Sequence, residues 1–284
     1  MPAARETWTS QWGFVLATIG SAVGLGNIWR FAYVAGENGG GAFLMVYLVF
    51  VLAVGAPVVI AELALGRRGQ GDAATTFVAI SGQRAWAAPG LIAVIASFLI
   101  LTFYAVIAGW VLKYLAGAGT GLLWSAAASD YGGYFKRFVA NTGEPIAWQF
   151  AMLAAAMFIV VGGVQRGIER INRVLMPALA LIIVLLAAYS LTHKGAARGL
   201  EFLFAPQWEL LGRPEIYLAA MGQAFFSLGV GMGVFITFGS YVPGHFRLPR
   251  LAGAIIAGDT LIALLAGIVI FPAVFAFGLD PKAG

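Results

Sequence analysis

Apolar residues are grouped into seven long runs, and each run is bounded by charged residues or by clusters of proline and glycine. Each run has about 18 residues or more, a length that favours a membrane-crossing helix over a buried strand. The short alternating segments of a bacterial β-barrel are not the pattern here. The predicted membrane helices cover residues 11–36, 41–66, 88–116, 147–164, 171–192, 216–241 and 252–278.

The composition strengthens this prediction. Of the 284 residues, 61% are hydrophobic and 10% are charged, whereas a soluble domain has roughly a quarter charged residues. We therefore expect an all-α, multi-pass protein of the plasma (inner) membrane, with one transmembrane domain over residues 1–284 and lipid around it.

Other function classes are poorly supported. Cysteine is absent from the sequence, which excludes disulfides and thiolate chemistry. The predicted spans contain neither a nucleophile–base pair nor a metal-binding cluster of the kind an enzyme would need. The net charge of +5 comes from scattered basic residues at span ends, so no nucleic acid partner is expected.

The basic residues also predict the orientation. Those assigned to the side of the N-terminus crowd short loops at span ends, where the positive-inside rule operates. We therefore predict a cytoplasmic N-terminus. The inner residues are Arg5, Arg67, Arg68, Arg84, Arg166, Arg170, Arg173, Arg247 and Arg250, against Lys113, Lys136, Arg137, Lys194, Arg198, Arg213 and Lys282 outside.

Two predicted helices carry glycine clusters near their middles, GSAVGLGN at residues 20–27 and SLGVGMG at residues 227–233. Each glycine costs about 1 kcal/mol of helix propensity relative to alanine, so such clusters can open a helix whose backbone then lines a polar cavity. Close helix packing is the alternative for a single cluster. Two interrupted spans in corresponding positions instead indicate a transporter site between inverted repeats of five helices.

Three ionisable residues lie within apolar runs: Arg30, Glu62 and Asp259. Each costs roughly 2.5–3.5 kcal/mol at a helix centre, so each is expected to face protein or water. Arg30 follows the first glycine cluster and suits a gate, where Gln223 could hydrogen-bond it. We expect Glu62 to have a structural role, accepting hydrogen bonds from N–H groups freed in the sixth helix.

Broken helices would provide the chemistry of a zwitterion site. Half-helix N-termini favour a carboxylate, whereas half-helix C-termini and freed carbonyls favour Na⁺ or an ammonium group. Hard oxygen ligands for Na⁺ are available from the backbone near Gly20, Ala22 and Val23 and from the side chains of Asn27, Ser227 and Asp259.

The motif GSAVGLGNIWRFAYVAGENGGGAF at residues 20–43 resembles the opening signature of the neurotransmitter:sodium symporter family, whose best-known bacterial member is a leucine transporter. The resemblance continues through ELALGRR, LTFYAVIAGW, GIERINRVLMPAL and GQAFFSLGVGMG to LIALLAGIVIFPAVFAFG. It covers nearly the whole chain and departs at Ala32, where the family usually has proline or glycine.

This resemblance implies the LeuT-type inverted-repeat fold, with helices 1 and 6 broken at mid-membrane. Because that family has at least ten core helices, the chain is expected to be the N-terminal part of a longer transporter. The first repeat, helices 1–5, would be complete and the second truncated after helices 6 and 7.

The resemblance also implies Na⁺-coupled amino acid import by alternating access, and it assigns residues to each part of the site. The substrate residues are Ser21, Ala22, Gly24, Gly26, Ile100, Tyr104, Phe225, Phe226, Ser227, Gly229 and Met232. One sodium site has Ala22, Asn27, Ser227 and Asp259, and a second, incomplete in this chain, has Gly20 and Val23. The inner gate has Arg5, Trp8, Ser240 and Tyr241, and the outer gate has Arg30, Gln223 and Phe226.

Gly24 indicates the substrate class. Biogenic-amine transporters of that family carry an aspartate there, which replaces the carboxylate that an amine lacks, so Gly24 favours α-amino acids. The pocket positions carry no charge to pair with a charged substrate side chain, and Met232 forms an adaptable wall. We therefore expect a neutral, large apolar or aromatic amino acid. Chloride dependence is not expected, because Asp259 supplies a negative charge and Ala263 offers no ligand.

Two alternatives compete with the symporter. A seven-span receptor matches the helix count, but it gives the glycine breaks and the sodium-site oxygens no role. A non-transporting membrane fragment that associates with a partner is the other alternative. The sequence does not indicate an oligomeric state.

Overall fold

The computed structural model describes residues 7–126 and 130–282. These residues form α-helices linked by short π-helical and 3₁₀ segments. The helices are α1 (Gln11–Ala22), α2 (Phe31–Glu37), α3 (Gly41–Phe50), α4 (Ala56–Gly69), α5 (Ala73–Ser81), α6 (Ala87–Gly119), α7 (Leu122–Ala126), α8 (Tyr131–Ala140), α9 (Gly143–Val161), α10 (Arg170–Ser190), α11 (Ala196–Phe204), α12 (Pro214–Leu228), α13 (Val234–Gly239) and α14 (Leu248–Ala276). The π-helical segments are Gly26–Arg30, Val51–Gly55 and Gly163–Glu169, and the 3₁₀ segments are Arg84–Trp86 and Trp208–Gly212.

Five continuous helical stretches within the described ranges are long and apolar enough to cross a membrane. A sixth candidate is α1 together with Gly26–Glu37, which are bent by 59° at the break between them. The predicted run 216–241 is divided between α12, with 15 residues, and α13, with 6, each too short to cross alone. The five continuous stretches are Gly41–Gly69, Arg84–Gly119, Gly143–Val161, Gly163–Ser190 and Leu248–Ala276.

Both predicted helix breaks are therefore present. The predicted run 147–164 ends at Val161 instead, because Gly163 adopts a left-handed backbone with φ of 77°. Side chains on α9 and much of α6 are exposed, as expected for helices that face lipid or further protein.

The first break lies between α1 and the π-helical segment. Val23 leaves the helix in an extended conformation, with φ of −74° and ψ of 120°. The Asn27 side chain then reaches back across the break, and its Oδ1 accepts a hydrogen bond from Gly24 N at 3.2 Å. Gly24 and Gly26 do not have positive φ, so the break does not depend on a left-handed glycine.

Space is the reason that glycine suits these two positions. A Cβ atom added at Gly24 would lie 2.9 Å from Tyr104 Oη, and one added at Gly26 would lie 3.0 Å from the ring of Phe226. Both distances are shorter than ordinary contacts between carbon and its neighbours. The glycines of the first break therefore let α6 and α12 approach the unwound backbone.

The second break, between α12 and α13, has a different cause. Gly229, Gly231 and Gly233 all adopt left-handed backbone conformations, with φ of 73°, 81° and 73°. This region is costly for residues with a Cβ atom but accessible to glycine. Two helices hold the unwound segment: Glu62 Oε1 of α4 accepts from Gly231 N at 2.7 Å, and Ser97 Oγ of α6 donates to the Met232 carbonyl at 2.9 Å.

Replacing Gly231 with alanine is expected to lower the free energy of unfolding by ~1–2 kcal/mol, the cost of a left-handed non-glycine residue. A Cβ atom at Gly231 has nothing within 4 Å, so the effect isolates the backbone. Gly253→Ala in α14 is the matched control, because that glycine also has open space but no positive φ. Denaturation of the purified protein should show a loss for Gly231→Ala only; equal stability of the two variants would contradict this explanation.

The main hydrophobic core fixes the helices that carry the two breaks. Phe31 of α2 and Phe43 and Tyr47 of α3 are fully buried, with ring centroids 5.4–6.1 Å apart. α3 packs against α12 and α4 packs against α13, and α14 contacts α1, α4 and α12. The unwound segments and the middle of α14 are thus brought together.

Candidate functional site

Three polar side chains from three separate parts of the chain meet inside the core. Asn27, Ser227 and Asp259 are almost completely buried, with 0%, 1% and 0% of their surface exposed. Asn27 Nδ2 donates to Asp259 Oδ1 at 2.8 Å and to Ser227 Oγ at 2.9 Å. Ser227 Oγ donates to Asp259 Oδ2 at 2.7 Å, and Tyr47 Oη lies 3.5 Å from Ser227 Oγ. Three of the four residues assigned by resemblance to one sodium site are therefore in contact.

This cluster fits a monovalent cation. Asp259 is buried, and its hydrogen-bond partners in the described part of the chain are neutral. A buried carboxylate is costly without a positive partner, and Na⁺ would provide one. Carboxylate, hydroxyl and carbonyl oxygens are hard ligands suited to such an ion.

Two further oxygens bear on that site. Ala22 is the last residue of α1, so its carbonyl belongs to the C-terminal group that lacks helical partners. Asn27 directs its amino group towards Asp259, while its carbonyl oxygen accepts from Gly24 N. The Asn27 carbonyl would therefore face Asp259 only after the amide turned over.

An uncharged cavity of about 250 Å³ lies beside this cluster. It brings together seven of the predicted substrate residues with four that were not predicted. None of the described residues that line it is charged. The lining residues are Ser21, Ala22, Ile100, Tyr104, Phe226, Gly229 and Met232, joined by Ser97, Leu101, Leu228 and Val234.

The other predicted substrate residues lie around this cavity or away from it. Gly24 and Gly26 adjoin the Tyr104 hydroxyl and the Phe226 ring, and Ser227 belongs to the polar cluster. Phe225 does not line the cavity; it packs against the main hydrophobic core. Its neighbour Phe226 faces the cavity instead, because successive residues of α12 point about 100° apart.

A second cavity, of about 490 Å³, shares Tyr104 and Phe226 with the first. These two rings, with centroids 6.4 Å apart, thus separate the two spaces. Arg30 and Tyr33, which follow the first break along the chain, line the second cavity and not the first. Its lining comprises Leu25, Gly26, Trp29, Arg30, Tyr33, Phe103, Tyr104, Ile107 and Phe226.

The predicted outer-gate residues are in direct contact. The guanidinium carbon of Arg30 lies 4.7 Å from the centroid of the Phe226 ring, and Arg30 Nη1 donates to Gln223 Oε1. Gln223 Nε2 in turn donates to the Gly26 carbonyl at 3.0 Å. Gln223 therefore links Arg30 to the backbone of the first break.

The predicted inner-gate residues lie at the opposite end of the unwound helices. Trp8 is buried, and it donates from Nε1 to the Phe238 carbonyl at 3.1 Å and from its backbone N to the Tyr241 carbonyl at 3.2 Å. Ser240, also buried, donates to the Thr237 carbonyl at 2.7 Å. The chain before α1 is thus held below α13. Arg5 lies outside the described residues.

Gly20 and Val23, assigned to a second sodium site, face α10 rather than the polar cluster. Val23 is buried with Met176, and a Cβ atom at Gly20 would lie 3.1 Å from Met176 Sδ. Asn172 lies against the same face of Gly20. Gly20 and Val23 therefore lie against α10, and a second sodium site stays a prediction.

The N-terminal segment contacts the chain where the π-helical segment Gly163–Glu169 meets α10, and the sequence does not predict this contact. The buried carboxylate of Glu169 accepts hydrogen bonds from Thr9 N, at 3.1 Å, and from Thr9 Oγ1, and Arg173 pairs with it at 2.8 Å. The motif GIERINR offered one signal, since Glu169 and Arg173 are four residues apart. The contact with Thr9, 160 residues away, had no sequence signal.

A family model supports the interpretation of this geometry. The model of the sodium:neurotransmitter symporter family matches residues 5–134 and 134–278, nearly the whole chain. The chain belongs to this family. The family is one of sodium-dependent membrane transporters rather than of enzymes, and the described part of the chain has several helices long and apolar enough to cross a membrane.

Individual relatives agree with the family assignment. An uncharacterized sodium-dependent transporter of Bacillus subtilis (strain 168) is 43% identical over 98% of this chain and 61% of its own length. A sodium-dependent neutral amino acid transporter of Mus musculus is 33% identical over 94% of this chain and 47% of its own. The crystal structure of MhsT in complex with L-phenylalanine has a TM-score of 0.93 and 54% identity, over 99% of this chain and 64% of that one.

The LeuT-type fold is thereby confirmed. The chain spans less than two thirds of the length of these relatives.

Proposed function

We propose that these residues form the substrate and first sodium site of a symporter that imports neutral, large apolar or aromatic amino acids together with Na⁺. The observation that carries this proposal is the contact between an uncharged cavity and a buried carboxylate. Ser227 stands between Phe226 and Leu228, which line the cavity, and its hydroxyl donates to Asp259. A bound substrate and a bound ion would therefore be neighbours.

The substrate carboxylate would bind near Tyr104. Gly26 N donates to Tyr104 Oη at 3.1 Å, at the start of the helical segment that follows the first break. Backbone N–H groups at such a start carry partial positive charge. The tyrosine hydroxyl and these amides would together hold the carboxylate, which could also complete the sodium site beside Asn27.

The cavity lining supports a large apolar side chain. Ile100 and Leu101 provide a fixed apolar wall on α6, and Met232 provides an adaptable one. Gly229 lies on the same side, where an added Cβ atom would lie 3.6 Å from Met232 Cε. The relative of similar structure, MhsT, was crystallised with L-phenylalanine, an amino acid of this class. We therefore place aromatic and large aliphatic amino acids ahead of charged ones.

The predicted topology extends this proposal. We place the N-terminus in the cytoplasm and the protein in the plasma (inner) membrane, because the basic residues crowd the short loops on the N-terminal side. Arg30 and Phe226 would then close the pathway from outside, and Trp8 from inside.

The ion requirement is tested with the complete protein in proteoliposomes. Replacing external Na⁺ with K⁺ is expected to lower L-phenylalanine uptake by roughly tenfold or more, the size of a typical coupling between two ligands. Replacing chloride with gluconate is expected to leave uptake unchanged, because Asp259 supplies the negative charge. Uptake into vesicles with equal Na⁺ on both sides distinguishes two roles of the ion. It shows whether Na⁺ is needed for substrate binding or only to supply a concentration gradient. Equal uptake in Na⁺ and K⁺ would overturn the proposal.

A further inference from the structure

A third cavity, of about 590 Å³, lies at the end of α4 and the start of α14 and shares no lining residue with the two cavities described above. It is rich in basic groups, and none of the described residues that line it is acidic. Its lining comprises Ile60, Arg67, Gly244, His245, Phe246, Arg247, Leu248, Pro249 and Arg250.

The positive charges of this cavity are not neutralised within the described residues. Arg247 and Arg250 are exposed, and the two ion pairs of the described chain, Lys113 with Glu144 and Arg173 with Glu169, lie elsewhere. An anion that entered would therefore meet uncompensated guanidinium groups.

Arg67 holds one side of the cavity in place. Its Nη1 donates to the Phe246 carbonyl at 2.8 Å, so the loop between α13 and α14 is tied to α4. Arg67 is only partly exposed, and a guanidinium has further N–H donors beyond the one used here. The neighbouring α14 begins without a side-chain cap, which adds the partial positive charge of its N-terminus.

The position of the cavity indicates that the anion would come from the membrane. Both α4 and α14 belong to stretches that are long and apolar enough to cross a membrane, and the cavity lies where those stretches end. Ile60 and the exposed Ala64 lie on the face of α4 that leads to Arg67, since residues four and seven positions apart share a face. An acyl chain could lie along this apolar face while its headgroup reached the arginines.

We propose that this cavity binds the phosphate group of an anionic phospholipid. It lies on the side where the chain begins, because Trp8 contacts the same end of α13, and the orientation predicted above makes that side cytoplasmic. Basic pockets between helices on this side suit anionic headgroups. Ordinary juxtamembrane arginines would lack a shared cavity of this kind.

The test uses the complete protein, purified in detergent, with native mass spectrometry to measure bound lipid. Phosphatidylglycerol is expected to bind more tightly than phosphatidylcholine. The double variant Arg247→Gln/Arg250→Gln should bind phosphatidylglycerol about 30-fold more weakly, because each basic group near an anionic membrane surface contributes roughly a fivefold factor. Arg67 is left in place so that its bond to the loop persists.

Two controls separate charge from folding and location. Arg247→Lys/Arg250→Lys keeps the charges and should keep most of the binding, whereas Lys136→Gln/Arg137→Gln removes two charges from α8 and should bind as the unchanged protein does. Unaltered binding by the glutamine variant of residues 247 and 250 overturns the proposal. Displacement of the lipid by millimolar inorganic phosphate would also overturn it, since the ligand would then come from water. The mass spectrometry measures lipid binding and does not require transport. If the proposed amino acid uptake failed, the result for lipid binding would still stand.

Discussion

Replacing Asp259 with asparagine is expected to reduce Na⁺-driven amino acid uptake by about 100-fold or more, since removing one partner of a buried charge pair costs about 3–5 kcal/mol. The asparagine has nearly the same shape, so contacts with Asn27 and Ser227 remain possible. What is lost is the negative charge that would hold the ion. Two measurements on the complete protein check this: Na⁺-driven uptake of L-phenylalanine in proteoliposomes, and the dependence of L-phenylalanine binding on Na⁺ concentration.

The matched control is Asp280→Asn, which removes an exposed carboxylate outside the helices. This variant should keep the Na⁺ dependence of the unchanged protein. Size-exclusion profiles of both variants exclude misfolding as the cause. If Asp259→Asn bound L-phenylalanine with the same Na⁺ dependence as the control, Asp259 would not be a sodium ligand.

Replacing Gly24 with aspartate is expected to weaken L-phenylalanine binding by about 100-fold, because placing like charges together costs several kcal/mol. A Cβ atom at Gly24 would lie 2.9 Å from Tyr104 Oη. The new carboxylate would therefore occupy the region proposed for the substrate's own carboxylate. Competition against labelled L-phenylalanine measures the effect.

Gly24→Asn is the matched control for size, because asparagine has the volume of aspartate without the charge. Part of the loss should appear in both variants, since any side chain crowds Tyr104. The larger loss should belong to aspartate alone. Phenethylamine lacks a carboxylate. It should therefore displace labelled L-phenylalanine from the aspartate variant more effectively than from the asparagine variant. Equal affinities of the two variants for L-phenylalanine would remove the charge argument and leave only crowding.

The two helix breaks show how much of the structure the local sequence can predict. Both positions were predicted from glycine clusters, and both are present. Their causes differ, however: Gly229, Gly231 and Gly233 adopt left-handed φ values, whereas Gly24 makes room for a neighbouring side chain. The sequence alone cannot separate these causes, because a glycine required for space and a glycine required for a positive φ are the same residue type.

The site residues show the same limit on what the sequence can predict. The motif resemblance named Asn27, Ser227 and Asp259, and the fold brings them into hydrogen-bond contact. It also named Phe225, which packs into the core while Phe226 faces the cavities. Which face of a helix meets a cavity depends on the rotation of the whole helix, and that rotation is set by packing against its neighbours.

The sequence by itself determined the helical, multi-pass character of the chain, the positions of the two breaks and the lack of charge along the predicted pocket. These follow from hydropathy and backbone propensity, which are properties of neighbours along the chain. Only the tertiary structure decided that Thr9 would meet Glu169, that Gly20 would face α10 and that Arg250 would share a cavity with Arg67. The contact of Thr9 with Glu169 joins residues 160 positions apart, and only the packing of complete helices places such residues side by side.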